Sequence, residues 1–178
     1  MRRLVLLAAV VTVVAAPVAL AQAPKTSKTP TAVIAFEKGD VTVEFWPSDA
    51  PNHVKNFVDL TRKGFYDGQR VHRVEPGFVV QFGDPQSKTL PMSDARMGTG
   101  GPGYTIKAEF NKRPFERGVL GMARTSDPDS AGSQVYVMLG PAPFLNNKYT
   151  AFGRVTKGME IVDTIKVGDR IKSIKVVE

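Results

Sequence analysis

The residues best suited to chemistry lie in one stretch, 71–84, VHRVEPGFVVQFGD. Arg73 sits inside an apolar run where a surface sheet would more readily take Thr or Lys, and Phe78 and Gln81 follow it closely. A guanidinium held against an apolar strand pair, with an amide and an aromatic nearby, can recognise a backbone carbonyl. The competing assignment is structural: Arg73 pairs with a carboxylate and only stabilises the fold. This stretch alone leaves both open.

Other chemistries fail on inventory. The chain has no cysteine, which excludes thiol catalysis and thiolate metal sites. Of its two histidines, His53 falls in a predicted helix. His72 lies among apolar neighbours, where a hydrogen-bonded core histidine is the usual state. No second His or carboxylate stands at metal-ligand spacing, so no metal is expected. Ser133, in Ala-Gly-Ser-Gln, lacks the nucleophile-elbow pattern of acyl transfer. Residues 98–103 satisfy G-x-G-x-x-G literally. A dinucleotide fingerprint must follow a strand and open a helix. Here polar residues precede it, Pro102 interrupts it, and a β-like YTIKAEF follows. What remains is arginine, amides and aromatics, an inventory suited to a reaction that makes and breaks no covalent bond.

The elements that must position these residues are short. Glu75-Pro76-Gly77 reads as a turn between two strands, because proline presets φ and glycine tolerates positive φ. Strand alternation predicts Phe78, Val80 and Phe82 on one face and Val79 and Gln81 on the other. Residues 31–45 read as a hairpin about Glu37-Lys38-Gly39-Asp40, with Val33, Ala35, Val41, Val43 and Phe45 buried. Asp49 before Ala50-Pro51 predicts a capped helix start. Val54, Phe57, Val58 and Thr61 give that helix an apolar stripe, and Gly64 ends it. After a Gly- and Pro-rich loop, strands are expected over 104–110, 119–124, 135–139, 152–156 and 171–177, with a second helix over 159–165. Short strands, two helices and no βαβ rhythm predict an antiparallel barrel or sandwich closed by helices.

Residues 1–21 read as a targeting segment: Arg2 and Arg3, an apolar run over 4–14, then Ala19-Leu20-Ala21 as a small-x-small cleavage signal. The run is short for a spanning helix, which needs about 20 apolar residues; an uncleaved anchor is the alternative. Cleavage after Ala21 and a periplasmic or secreted bacterial location are expected, without stable membrane insertion afterwards. Residues 22–30 carry two prolines and no periodicity, and read as a disordered lead-in. Residues 31–178 are the size of one domain. The formal charge is +7, or +5 once Arg2 and Arg3 are removed. The basic residues are interleaved with acidic ones, which describes a solvated surface and not a nucleic-acid footprint.

Four segments together carry a family resemblance. VHRVEPGFVVQFGD, GTGGPGYTIKAEF, RGVLGMARTSDPDSAGSQVYVMLG and PFLNNKYTAFGRVTKGMEIVDTI resemble, in order and spacing, successive signatures of the cyclophilins, and GMARTSDPDSAGSQ resembles the bacterial branch. The resemblance implies a closed eight-stranded antiparallel β-barrel capped by two α-helices, with peptidyl-prolyl cis-trans isomerase activity on Pro-containing peptides and unfolded chains. It places the catalytic arginine on Arg73 and the substrate-binding glutamine on Gln81. The proline pocket falls on Phe78, Val79, Tyr136 and Leu145. Backbone contacts fall on Gly98, Ala123 and Arg124, with Gln134 beside them. The rim tryptophan and histidine positions fall on Phe144 and Tyr149. No cofactor is implied, and a monomer is expected.

The chain departs from the family pattern at several of these positions. Val79 stands for a methionine, Tyr136 for a phenylalanine, Arg124 for an asparagine whose role was mainly through its backbone, and Phe82 for a glycine. The Tyr136 hydroxyl must then find a partner or water, and Phe82 is expected to crowd the strand end. Phe144 lacks the indole N–H that drug-sensitive members donate to cyclosporin. The alternative function is a non-catalytic envelope holdase that grips Pro-containing chains in the same groove; holding alone does not require Arg73.

Overall fold

The structure, a computed structural model, describes residues 30–177. The expected leader, 1–21, and all but the last residue of the lead-in lie outside them. Among the described residues eight strands are formed: β1 Thr31–Phe36, β2 Gly39–Phe45, β3 Arg73–Glu75, β4 Val79–Phe82, β5 Val119–Met122, β6 Val135–Met138, β7 Ala151–Lys157 and β8 Ile171–Val177. Two α-helices accompany them, α1 Pro51–Arg62 and α2 Met159–Thr164. The strands make one sheet in the order β3-β4-β6-β5-β7-β2-β1-β8, with every ladder antiparallel.

The sheet curls into a half-barrel and stays open, which corrects the expected closed barrel. Its edges, β3 and β8, share no ladder. The segment before β3 meets the start of β8 and the residues leading into it, around an isolated bridge between Arg70 and Arg170. Gly68 donates to the Ile171 carbonyl at 2.8 Å and Val71 to that of Asp169 at 2.9 Å. With three residues in β3, the edges part after this seam.

Alternation along the strands builds two cores on opposite faces. Val80 and Phe82 of β4, Leu120 and Met122 of β5, and Val135 and Val137 of β6 enter the main core with α1. Phe57 of α1 anchors it, its ring 5.3 Å from Phe45, 5.0 Å from Tyr66 and 5.8 Å from Phe152. Val79, Val119, Tyr136 and Met138 project from the other face of the same strands. They form a second cluster with Phe115 and Leu145. The candidate site is built on that second face. In β1 the buried residues are Ala32, Ile34 and Phe36, one step out of phase with the expected Val33 and Ala35. Both phases of TAVIAF are apolar, so local pattern does not choose between them; pairing with β2 and β8 does.

Residues 104–110 form no strand, only a bridge from Ile106 to Ala131. The segment serves α1 instead. Glu109 accepts from the backbone N–H of Asn52 at 3.0 Å and of His53 at 2.9 Å, and meets His53 Nδ1 at 2.7 Å. This distant carboxylate fills the capping role expected of Asp49, which pairs with Arg113 at 2.8 Å. Burial pushes His53 below its ordinary pKa, against the pull of Glu109. Burial would raise Glu109, but donors from Asn52 and His53 hold it below its ordinary value.

Candidate active site

Arg73 and Gln81 are cross-strand partners in the β3–β4 ladder, joined by the 75–78 turn with Gly77 at φ 73°. Phe78 donates its backbone N–H to the Glu75 carbonyl at 2.9 Å, which closes the turn. Phe78 therefore lies in the turn, before β4 begins. Its ring does not join Val80 and Phe82 as expected but turns to the Gln81 side. There it stands 5.8 Å from the Arg73 guanidinium carbon and 5.7 Å from the Phe144 ring. Phe82 is fully buried in the main core, edge-on to Tyr66.

A polar relay runs to Arg73. Arg73 Nη1 donates to Gln81 Oε1 at 3.3 Å, and Gln81 Nε2 donates to Gln134 Oε1 at 2.9 Å. Gln134 Nε2 in turn donates to the carbonyls of Gly98 and Gly100, each at 2.8 Å. The relay ends on Asp84, which is fully buried and accepts from Gly98 N–H at 2.6 Å and from Gly100 N–H at 3.3 Å. A Cβ on Gly100 would stand 2.1 Å from Asp84 Oδ1, so glycine is required there. These glycines thus serve an internal carboxylate, not a phosphate. Arg73 Nε also reaches Glu75 Oε1 at 3.5 Å, but both side chains are about half exposed and screening leaves that pair weak. The structural assignment of Arg73 is present as a minor contact, beside the one aimed into the site.

Two adjoining cavities meet here. One, of about 310 Å³, is lined by Arg73, Phe78, Val79, Gln81, Ala123, Arg124, Tyr136, Phe144, Leu145 and Tyr149. The other, of about 360 Å³, has Gly98 and Gln134 in its wall and shares Gln81, Ala123 and Arg124 with the first. All twelve site residues proposed from sequence are therefore brought together. Tyr136 closes the inner wall of the first cavity, its ring 6.0 Å from Phe115 and 6.4 Å from Tyr149. Its hydroxyl is buried without a hydrogen-bond partner among the described residues, and burial raises its pKa. His72, next to Arg73, has both ring nitrogens buried, and burial lowers its pKa against the pull of Asp84 and Gln134 beside it.

Sequence reasoning missed Asp84 as the anchor of the glycine loop. Its local signal was an Asp-Pro step, and it does cap the 3-10 turn Pro85–Lys88 through Gln86 N–H at 2.8 Å. The loop contacts at positions 98 and 100 are invisible locally. The chemistry available is a half-buried apolar slot with a fixed cation at its mouth and amide groups along one side.

Comparison with known proteins agrees with this geometry. The family model described as cyclophilin type peptidyl-prolyl cis-trans isomerase/CLD matches residues 31–178. A probable peptidyl-prolyl cis-trans isomerase of Brucella abortus is 44% identical over 146 residues, 80% of this chain and 74% of that protein. Peptidyl-prolyl cis-trans isomerase B of Bacillus subtilis is 43% identical over 138 residues, 76% of this chain and 90% of that protein. A Cryptosporidium parvum cyclophilin type isomerase superposes with TM-score 0.75 at 26% identity, covering 85% of this chain and 99% of its own. A structure of that kind, obtained in the presence of the dipeptide Ala-Pro, gives TM-score 0.73 at 28% identity, covering 83% of this chain and 99% of its own. The two-faced half-barrel with its Arg73 slot thus belongs to the cyclophilin family, and the chain is a cyclophilin-type peptidyl-prolyl cis-trans isomerase.

Proposed function

We propose that Arg73 is the catalytic group and that the slot of Phe78, Val79, Tyr136 and Leu145 receives the proline ring. The observation that carries this reading is the guanidinium at the mouth of an apolar cavity, held by Gln81. Amide resonance sets the rotation barrier, about 18–20 kcal/mol. As the X-Pro bond twists, electron density returns to the proline nitrogen, which pyramidalises and becomes a better acceptor. A guanidinium donating to that nitrogen stabilises the twisted state more than the planar one, and this difference lowers the barrier. Gln81 and the backbone of Ala123 and Arg124 hold the flanking chain, so one end rotates while the other is clamped. Phe144 and Tyr149 form the rim, and Gly98 and Gln134 extend the contact into the neighbouring cavity.

Pro-containing peptides and unfolded proteins are the proposed partners, bound by a monomer. The Ala-Pro dipeptide of the related structure is of this chemical class. Exchange of an X-Pro peptide, followed by NMR with purified protein beginning at Gln22, tests the reading. Accelerated exchange is expected; binding without acceleration would mean the chain only holds its clients. Export with cleavage after Ala21 is part of the same proposal, supported by the residue pattern over 1–21. N-terminal sequencing from the envelope fraction should return Gln22. Intact Met1 in membranes would refute it.

A further inference from the structure

The turn that carries Phe144, Leu145 and Tyr149 is anchored unevenly. At its start, Ala142 donates to the Phe115 carbonyl at 2.8 Å, and Phe115 N–H donates to Asn146 Oδ1 at 2.9 Å. At its end, Met122 N–H donates to the Thr150 carbonyl at 3.1 Å. Between them, Asn147 has φ 58°, the only positive φ of a non-glycine residue among the described ones. Asparagine tolerates this conformation, and the turn closes on itself there, with the Lys148 and Tyr149 N–H groups donating to the Leu145 carbonyl at 3.0 and 3.2 Å. What holds this part across the groove is the side chain of Arg124. Its Nη2 donates to the Lys148 carbonyl at 2.9 Å and its Nε to the same oxygen at 3.3 Å. Its Nη1 donates to Thr125 O at 2.7 Å and Ser126 O at 3.3 Å. The guanidinium carbon stands 4.3 Å from the centre of the Tyr149 ring.

From this geometry we infer that Arg124 is a positioning residue: its guanidinium clamps Lys148 and Tyr149 to the strand exit at 123–126 and so sets the width of the proline slot. Its donors are spent on carbonyls, and its face lies over two rings, Tyr149 at 4.3 Å and Phe110 at 5.9 Å; of these only Tyr149 lines the slot, so Arg124 acts on substrate through Tyr149. Tyr149 in turn packs edge-on against Tyr136, which carries the effect into the slot wall. An asparagine at this position is too short to reach both the ring and the Lys148 carbonyl from the same backbone. The wall is therefore a device of this pair of residues, and it rests on the reading of the slot as the proline site.

The test is a set of variants of the mature protein, Arg124→Leu, Arg124→Lys, Tyr149→Leu, the double variant Arg124→Leu/Tyr149→Leu, and Phe78→Ala. Each is assayed for kcat and KM on an X-Pro peptide. Arg124→Leu should raise KM about tenfold, the scale of a lost half-buried cation–π contact, and leave kcat near that of the parent because Arg73 is untouched. Arg124→Lys should recover only part of this, since an ammonium lacks the fork that spans several carbonyls. The double variant should bind no worse than Tyr149→Leu alone, because a residue that acts through Tyr149 has nothing left to position. Unchanged KM in Arg124→Leu, or effects that multiply in the double variant, would overturn the inference. If Arg124→Leu fails to fold, an Arg124→Lys variant with the parent KM overturns it equally. Phe78→Ala separates the two levels: no rise in KM there would remove the slot reading itself, whereas a rise there with none in Arg124→Leu removes only the positioning role.

Discussion

The ring of Tyr136 occupies the space that a Cβ on Gly121 would need. Built on Gly121, that carbon would stand 2.3 Å from Tyr136 Cζ and 2.4 Å from its hydroxyl oxygen, across the β5–β6 ladder in which the two are partners. The larger side chain in the pocket wall is thus accommodated by a missing one opposite.

Gly121→Ala should therefore drive the Tyr136 ring out of the wall. Overpacking of this kind costs about 1–3 kcal/mol, readable in urea unfolding, with a rise in KM for X-Pro peptides. Tyr136→Phe keeps the ring and removes a buried hydroxyl that has no protein partner. It should leave stability unchanged or raise it by about 1 kcal/mol. A clear loss of stability in Tyr136→Phe would show that the hydroxyl is satisfied by water.

Arg73→Ala should lower kcat/KM about 10²–10³-fold, the range seen when one preorganised donor is deleted, while peptide binding in the ground state changes little. Arg73→Lys should rescue poorly for want of the planar fork. Gln134→Leu, which cuts the relay two residues away, should lower kcat less than Arg73→Ala does, by about tenfold, the scale of one lost hydrogen bond. Full exchange activity in Arg73→Ala would sink the catalytic assignment.

Turnover should be flat from about pH 6.5 to 9. His72 is the histidine beside Arg73, and burial lowers its pKa from 6.5, which disfavours its charged form across this window. A bell-shaped profile centred near neutrality would require a titrating group in the site.

Stability should fall in acid. His53 and Glu109 both have depressed pKa values in the folded protein, from ordinary values of 6.5 and 4.5. The folded state then binds fewer protons than the unfolded chain as the pH drops. Their contributions are complete above those ordinary values and disappear as the pH falls through the lower, folded ones. Urea midpoints should hold from pH 7 to 9 and decline below about 6.5. Glu109→Gln should cost about 1–3 kcal/mol at pH 7 and flatten the decline below pH 5. A midpoint independent of pH down to 4 would contradict this role.

Cyclosporin should inhibit weakly. Phe144 is 62% exposed at the rim and offers a ring without a donor. One missing hydrogen bond costs about 1–2 kcal/mol, and Phe144→Trp should tighten inhibition more than it alters turnover. Equal inhibition of both proteins would show the rim donor to be irrelevant.

What the sequence determined by itself was local. Glu75-Pro76-Gly77 dictated a turn, the stripe of Val54, Phe57, Val58 and Thr61 dictated a buried helix face, and most strands lie within a residue or two of their expected bounds. The twelve proposed site positions came from motif resemblance, carried by short spacings within each segment, and the structure gathers them around two adjoining cavities. Tertiary structure decided everything that depends on contacts between distant segments. The phase of β1 was set by its two neighbours, since either face of TAVIAF is apolar enough to bury. Residues 104–110 became a capping segment instead of a strand because Glu109 finds the free N–H groups of α1, 56 residues away for His53. Phe78 turned from the core to the slot because the turn, not the strand, sets its direction. The sheet stayed open because β3 is too short to ladder with β8. The link from Asp84 through Gly98 and Gln134 to Arg73 spans three chain segments. No local pattern encodes it, because each bond forms only once folding has fixed the distance between its partners.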